Sequence, residues 1–452
     1  MDTIEGFEFQ PIEIDRHGRV EAGAEELATH VRDREVSDVI IICHGFRNDA
    51  NDARSLYTRF LKTFKQNLQR GGPVSGLSGR TFAVGGVFWP SMILPEPDDS
   101  QGAALSVGSG TERQRLETMK ADADANAAGK IDAMLRDLPK AEDDHNARLR
   151  MAASLLDLVR ELPEDEGNEA RAGLANATPE SLCNALMAGD TVVVAPTGNV
   201  GGAGGIPQLT PQTGGIGGGG MGGGLSGFGK VFGFVPKLVN LTTFLLMFNR
   251  CGDVGSKGMS QVVRRVKELS NARVHLVGHS LGGRAVTACA KALIDPPAQR
   301  ADTMMLLQAA YSHFGLSVAG TSANGIKHPR GFFRDIIEKR VVAGPIVATH
   351  STHDAVVQFA YTPMAAVSGN NARKIGDESS PFGGIGRNGV LDTKEAEGLE
   401  LQVAGGAYTF KSGSIHNLDG SRNINGVPMI RSHGDVANEA VTWAFACLLT
   451  TV

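Results

Sequence analysis

At Ser280 a strand-like run gives way to a helical one within a few residues, and glycines stand on both sides of the switch. Arg273 to Val277 reads as a short buried strand, and Leu281 to Ile294 as a helix. The connection, Gly278-His279-Ser280-Leu281-Gly282, has the form GxSxG, and Gly283 follows it. A strand, a tight turn and a helix in that order lift a serine hydroxyl above a sheet edge. A Cβ two positions before or after the serine would crowd that turn. Ser280 is therefore expected to be a nucleophile on an elbow, against the alternative of an inert serine in a glycine-rich turn.

The rest of the chain offers a sheet for such an elbow. Phe7 to Val20 alternates and carries a turn signal at His17-Gly18, so it reads as a hairpin. A short helix-like stretch, 22–36, follows. Asp38 to Cys43 is a continuous apolar run ending in His44-Gly45-Phe46, the pattern of a strand covered on both faces. Asp49 to Leu68 has helical spacing, and Arg80 to Trp89 is a second strand. Helix and strand alternate again after residue 255. A helix is expected over Gln261–Leu269, a strand over Thr303–Ala310, a helix over Arg330–Lys339 and a strand over Pro345–Thr349. Tyr408–Ile415 reads as the last strand and Asp435–Leu449 as the closing helix. Such alternation predicts an α/β fold: a mostly parallel sheet with helices on both faces.

Between these parts the pattern changes. Residues 111–187 are Ala-rich and charged and read as helices broken near Pro139 and Pro163. Glycine makes up 58 of 452 residues, and half of the stretch 198–229 is glycine. That stretch lacks the side chains to offset its ordering entropy and reads as a loop, with no phosphate-binding motif around it. Pro236–Phe248 is strongly apolar, too short for a bilayer span, and reads as a buried or substrate-facing helix opened by Pro236. The chain thus divides into a first core part (1–90), an insertion (91–255) and a second core part (256–452).

A serine hydroxyl is a weak nucleophile until a base takes its proton. After a serine on such an elbow, an acid and then a histidine follow in chain order. Asp354, just past the 345–349 strand, is favoured as the acid over Asp419 and Asp302. His433, in the loop before the closing helix, is favoured as the base over His416. His350 and His353 could line the pocket. His44 and His279 are expected to pack or orient loops, and Asp435 to fix the loop of His433. Acyl transfer also needs donors for the developing oxyanion. The backbone N–H groups of Leu281, after the nucleophile, and Phe46, after the early strand, are the candidates. Arg284, one turn past the serine, is expected to form a structural pair, with an anion-binding role as the alternative.

Composition excludes other classes. Net charge is −5, from 44 basic and 49 acidic residues, which argues against nucleic-acid binding through bulk charge. Five widely spaced cysteines form no CxxC pair and suit a reducing compartment. The N-terminal residues show no secretory pattern, so a cytoplasmic location is expected. No histidine spacing suggests a metal site, and a serine–histidine–acid site needs no cofactor.

Several segments together resemble the α/β-hydrolase superfamily, and within it a bacterial group related to esterases and lipases. They are HGFRNDANDA at 44–53, GVFWPS at 86–91, FNRCGDVGSKG at 248–258, RVHLVGHSLGGR at 273–284, LLQAAYSHFG at 306–315, GPIVATHSTHDAVVQFAYTP at 344–363 and SHGDV at 432–436. The resemblance runs from about residue 36 to the end, except the insertion. It implies the triad Ser280, Asp354 and His433, the same residues reached above, and supplies no substrate. The expected activity is hydrolysis of a carboxylic ester, on a small-molecule or lipidic substrate. An amidase, peptidase or thioesterase would use the same triad, and a non-catalytic binding module would share the fold. The apolar segment 231–248 tilts the substrate toward lipidic esters by offering a lining for an acyl pocket. Oligomeric state is left open.

Overall fold

The computed structural model describes residues 1–91, 109–161, 176–188, 233–360, 382–422 and 428–452, with short pieces at 174, 191–194, 228–231, 378 and 380. The Gly-rich stretch 198–229 lies outside the described residues except for its last two, as does the expected break near Pro163.

The chain opens with β1 (Asp2–Ile4), β2 (Phe7–Ile14) and β3 (Val20–Ala22), all antiparallel to their neighbours in this group. The β2–β3 turn closes where the sequence places it. Asp15 Oδ1 accepts from the amides of His17 (2.9 Å) and Arg19 (2.8 Å), and Gly18 takes a positive φ of 80°. Then come β4 (Asp38–Cys43), β5 (Phe82–Phe88), a small antiparallel pair β6 (Thr191–Val194) and β7 (Phe228–Val231), β8 (Arg273–His279) and β9 (Thr303–Leu307). A two-residue pair, β10 (Gly320–Thr321) and β11 (Lys327–His328), precedes β12 (Ile346–His350), β13 (Ala396–Glu400) and β14 (Ile415–Asp419).

Ten strands form one sheet in the order β1-β2-β5-β4-β8-β9-β12-β14-β13, with β3 on β2. From β2 to β13 every pairing is parallel. All their carboxyl ends therefore share one edge. The chain steps from β4 outward to β5, then returns past β4 to β8 and continues the other way. This reversal between β4 and β8 is a topological switch point, where open α/β sheets bind ligands.

Burial on both faces explains the unbroken apolar run of β4. Val39, Ile41 and Cys43 face one core with the helices Ala24–Asp33, Phe234–Asp253 and Leu281–Ala292. Ile40 and Ile42 face the other, with the helices Ala50–Leu68 and Glu439–Leu449. In that second core Phe445 packs against Phe60 (5.4 Å) and Phe64 (5.1 Å). Full burial of each such ring contributes about 1.5–3 kcal/mol relative to exposure. Helix Ala50–Leu68 starts on a capping box: Asp49 Oδ1 accepts from Asn51 N (2.7 Å) and Asp52 N (2.8 Å). A cap of this kind contributes about 1 kcal/mol.

The structure corrects several expected boundaries. The last strand is Ile415–Asp419, not Tyr408–Ile415. Tyr408 and Phe410 instead stack on each other at 4.8 Å in the preceding loop. The helix expected over Arg330–Lys339 is the short Arg334–Glu338, and the closing helix starts at Glu439, capped by the Asn438 side chain. The apolar helix begins at Phe234, two residues before Pro236. Its first amides, Phe234 N and Val235 N, donate to the carboxylate of Glu142. It continues through a wider turn at 254–259 into Ser260–Leu269, so one helical run crosses residue 255. Helices Ser109–Asp122, His145–Glu161 and Pro179–Ala188 of the insertion pack on it. No helix among the described residues is long and apolar enough to cross a membrane.

Candidate active site

Ser280 directly follows β8 and precedes helix Leu281–Ala292, with φ 58° and ψ −125°. For a residue with a Cβ this is a sparsely populated conformation, and one that clusters at functional sites. The turn is sewn to the neighbouring strand. Ser280 N–H donates to Leu307 O (3.0 Å), and Ala310 N–H donates to Ser280 O (3.0 Å). The flanking glycines are required sterically. A Cβ on Gly278 would collide with the carbonyl of Gly282, and one on Gly282 with the carbonyls of Cys43 and His44.

The loop after β4 lies against this elbow. A Cβ on Gly45 would collide with Ser280 Cβ. The Gly45 carbonyl accepts from His44 Nδ1 (2.9 Å) and Asn48 Nδ2 (3.1 Å). In a trans peptide the next N–H points the opposite way, so the Phe46 amide is turned away from both donors. Leu281 is the first residue of its helix, where backbone amides have no carbonyl one turn back. Both expected oxyanion donors are thus main-chain amides immediately beside the contact of Gly45 with Ser280. His44 holds the loop: its backbone N–H donates to nothing less than the Tyr57 hydroxyl (3.0 Å), and its ring stacks on Trp89 at 5.6 Å. Burial lowers the His44 pKa to about 4, so the ring is neutral.

Asp354 and His433 meet. His433 Nδ1–H donates to Asp354 Oδ2 at 2.9 Å. Asp354 is fully buried and sits four residues past β12, where Val357 N–H donates to its Oδ1 (2.9 Å). With Nδ1 carrying the proton, Nε2 of His433 is the basic nitrogen. The loop of His433 is held to the elbow by His279, whose Nε2–H donates to the His433 carbonyl at 2.9 Å, with the rings 4.8 Å apart. Burial lowers the His279 pKa to about 3. Asp435 accepts from Arg431 N (3.1 Å) and Nε (2.9 Å) and so braces the same loop.

The rival residues are bonded to other partners. Asp302 accepts from Lys267 Nζ (2.6 Å) and Val274 N (2.7 Å), at the amino end of the sheet. His416 is buried on β14, where its Nε2 accepts from Lys411 N (2.9 Å) and its Nδ1 lies 2.7 Å from Glu397. Asp419 accepts from Ser421 N (2.8 Å) at the end of β14. His353 is exposed and His350 is half-buried at the end of β12. Arg284 is buried with its guanidinium 4.1 Å above the Phe248 ring. That places it in the packing between the two helices, at the wall of a cleft that Lys291 and Lys339 also line.

Of the two readings of the apolar helix, buried or substrate-facing, the first holds for most of it: Leu238, Val239, Leu241, Leu245 and Phe248 are all buried. Its Asn240 accepts from Arg47 Nη2 (3.0 Å), which ties the insertion to the loop after β4. Ser280 is 5% exposed, so the described residues leave little of it open. Sequence reasoning missed Gln308, which follows β9 and donates from Nε2 to Asp354 Oδ2 (3.0 Å). A glutamine after an apolar strand belongs to no motif, and only the fold brings it to the acid. All five cysteines are buried and unpaired, and burial raises each thiol pKa, which leaves none of them as a thiolate. No cluster of metal-ligating side chains occurs among the described residues.

Comparison with known proteins gives no assignment: no family profile, curated protein or solved structure matches the chain.

Proposed function

We propose that the chain is a serine hydrolase of the α/β-hydrolase kind, acting on a carboxylic ester. The observation that carries this reading is the backbone of Ser280, held at φ 58° on the turn between β8 and its helix. Strain of that kind persists only where the surroundings over-determine it. The hydrogen-bonded His433 and Asp354, and the glycine loop against the serine, support the same reading.

In this mechanism Ser280 Oγ attacks the ester carbonyl carbon while its proton passes to His433 Nε2. The oxyanion accepts hydrogen bonds from the Phe46 and Leu281 amides, each worth about 2.7–4 kcal/mol in the transition state. The tetrahedral intermediate expels the alcohol, which takes the proton from His433. Water then attacks the acyl-serine, giving its proton to His433; the second tetrahedral intermediate breaks its bond to Ser280 Oγ, which takes that proton back from His433 as the carboxylic acid leaves. Asp354 keeps His433 in the Nδ1–H tautomer and stabilises the imidazolium. Thioesters and amides fit the same steps. Buried, unpaired thiols support a cytoplasmic setting for the enzyme.

The test is turnover of p-nitrophenyl esters of graded chain length, with thioester and anilide analogues beside them. Ester turnover that disappears in Ser280→Ala is the expected result. Turnover equal in both proteins removes Ser280 from the chemistry. No turnover of any substrate by the wild type favours a binding module.

A further inference from the structure

We propose that Gln308 is a positioning residue for the Asp354–His433 pair, holding Asp354 Oδ2 where it accepts the His433 Nδ1–H; this rests on the serine-hydrolase reading above. Gln308 is fully buried and takes a positive φ of 46°, uncommon for a residue with a side chain. Its backbone N–H donates to Thr349 Oγ1 (3.2 Å). Both hydrogens on its Nε2 are used, one to Asp354 Oδ2 (3.0 Å) and one to the Gly386 carbonyl (2.8 Å). Those two partners only accept, so the amide has one workable orientation.

The consequence for Asp354 is geometric. Oδ2 receives Gln308 and His433, while Oδ1 receives Val357 N–H. Donors on both oxygens fix the plane of the carboxylate. Without Gln308, the one side-chain donor left to Oδ2 among the described residues would be His433, on a loop and 12% exposed. Gln308 is itself clamped. Gly386 N–H donates to Ala309 O (2.8 Å), and Ser351 N–H donates to Gly386 O (3.0 Å). A Cβ on Gly386 would collide with the Gln308 backbone. Ser351 O in turn accepts from Asp354 N–H (2.9 Å). Residue 307, just before Gln308, is the one whose carbonyl receives the Ser280 amide. One strand end thus sets the nucleophile turn through its backbone and the acid through its next side chain.

Gln308→Met keeps length and removes the donors; Gln308→Glu keeps the shape. Folding of both is checked by the denaturation midpoint, and Gln308→Glu carries the test if the methionine variant does not fold. With p-nitrophenyl butyrate, kcat of Gln308→Met should fall about 10–100-fold with KM little changed, as for a misplaced catalytic group. Gln308→Glu should recover relative to wild type as pH is lowered, because only its protonated acid donates to Asp354. A wild-type kcat in Gln308→Met, or a wild-type pH profile in Gln308→Glu, overturns the proposal. An independent readout needs no turnover: the proton resonance of His433 Nδ1–H, assigned by its loss in His433→Gln. It should weaken or exchange faster in Gln308→Met, and an unchanged resonance also overturns the proposal. Loss of the serine-hydrolase reading would show differently, as hydrolysis by Ser280→Ala at the wild-type rate.

Discussion

The two ends of β8 each carry a buried histidine, and they are treated in opposite ways. At the amino end, His275 is fully partnered. Its Nδ1 meets Thr303 Oγ1 (2.9 Å) and its Nε2 meets Asp38 Oδ1 (3.0 Å). Asp38 also accepts from Ser37 Oγ (2.6 Å) and Arg80 Nη1 (3.1 Å). At the carboxyl end, four residues on, His279 Nδ1 has no partner among the described residues. Around it Arg47, Ser280 and Gln308 all take positive φ. Buried polar groups satisfied on every side stabilise a fold, whereas strained and under-satisfied ones persist where geometry serves chemistry. The same strand therefore ends in a fully bonded network below and in the strained turn of the proposed site above.

The largest effect expected separates the ends by activity. Asp354→Asn should leave the protein folded and reduce ester turnover on the order of 10⁴-fold, because the amide favours the wrong histidine tautomer. Steady-state kinetics beside a denaturation curve checks both halves. The matching change at the amino end, Asp38→Asn, should do the reverse. It breaks a buried charge network, lowering stability by about 3–5 kcal/mol. Turnover per folded molecule, measured well below the unfolding midpoint, should stay at the wild-type level.

Acid should weaken the fold next, and here the two ends act alike, since burial also lowers the pKa of His275. Burial holds the folded pKa of His44 at about 4 and that of His279 at about 3, against 6.5 for the unfolded groups. The unfolded chain therefore takes up protons below about pH 6.5 that the folded chain refuses until pH 4–3. Stability present above pH 6.5 is lost as pH falls, by about 1.4 kcal/mol per pH unit for each histidine. Urea midpoints at pH 7 and 5.5 measure this, and His44→Gln should flatten the slope. The smallest effect is the most diagnostic. Ser280→Gly should raise stability by roughly 1 kcal/mol, since relief of the φ strain exceeds the extra entropy glycine loses. A thermal scan showing no gain would mean the turn is not strained.

The sequence carries the carboxyl-end site unevenly, for physical reasons. Glycine spacing around Ser280 is legible because the steric demand of the turn is local. Asp354 and His433 are legible through chain order, each just past or before a recognisable element. Ile415–Asp419 was hidden because Ile-His-Asn-Leu-Asp lacks a strand composition, and parallel pairing with β12 and β13 overrides it. The start of the Phe234 helix was hidden because its cap, Glu142, lies about ninety residues earlier. Arg284 shows the same limit, since helical spacing does not reveal that Phe248 covers its guanidinium.

The most direct test of an activated Ser280 is fluorophosphonate labelling of wild type and Ser280→Ala, with the modified peptide mapped by mass spectrometry. The expected result is one adduct on Ser280 in the wild type and none in the variant. Equal labelling of both proteins, or an adduct mapped to another residue, would contradict the assignment.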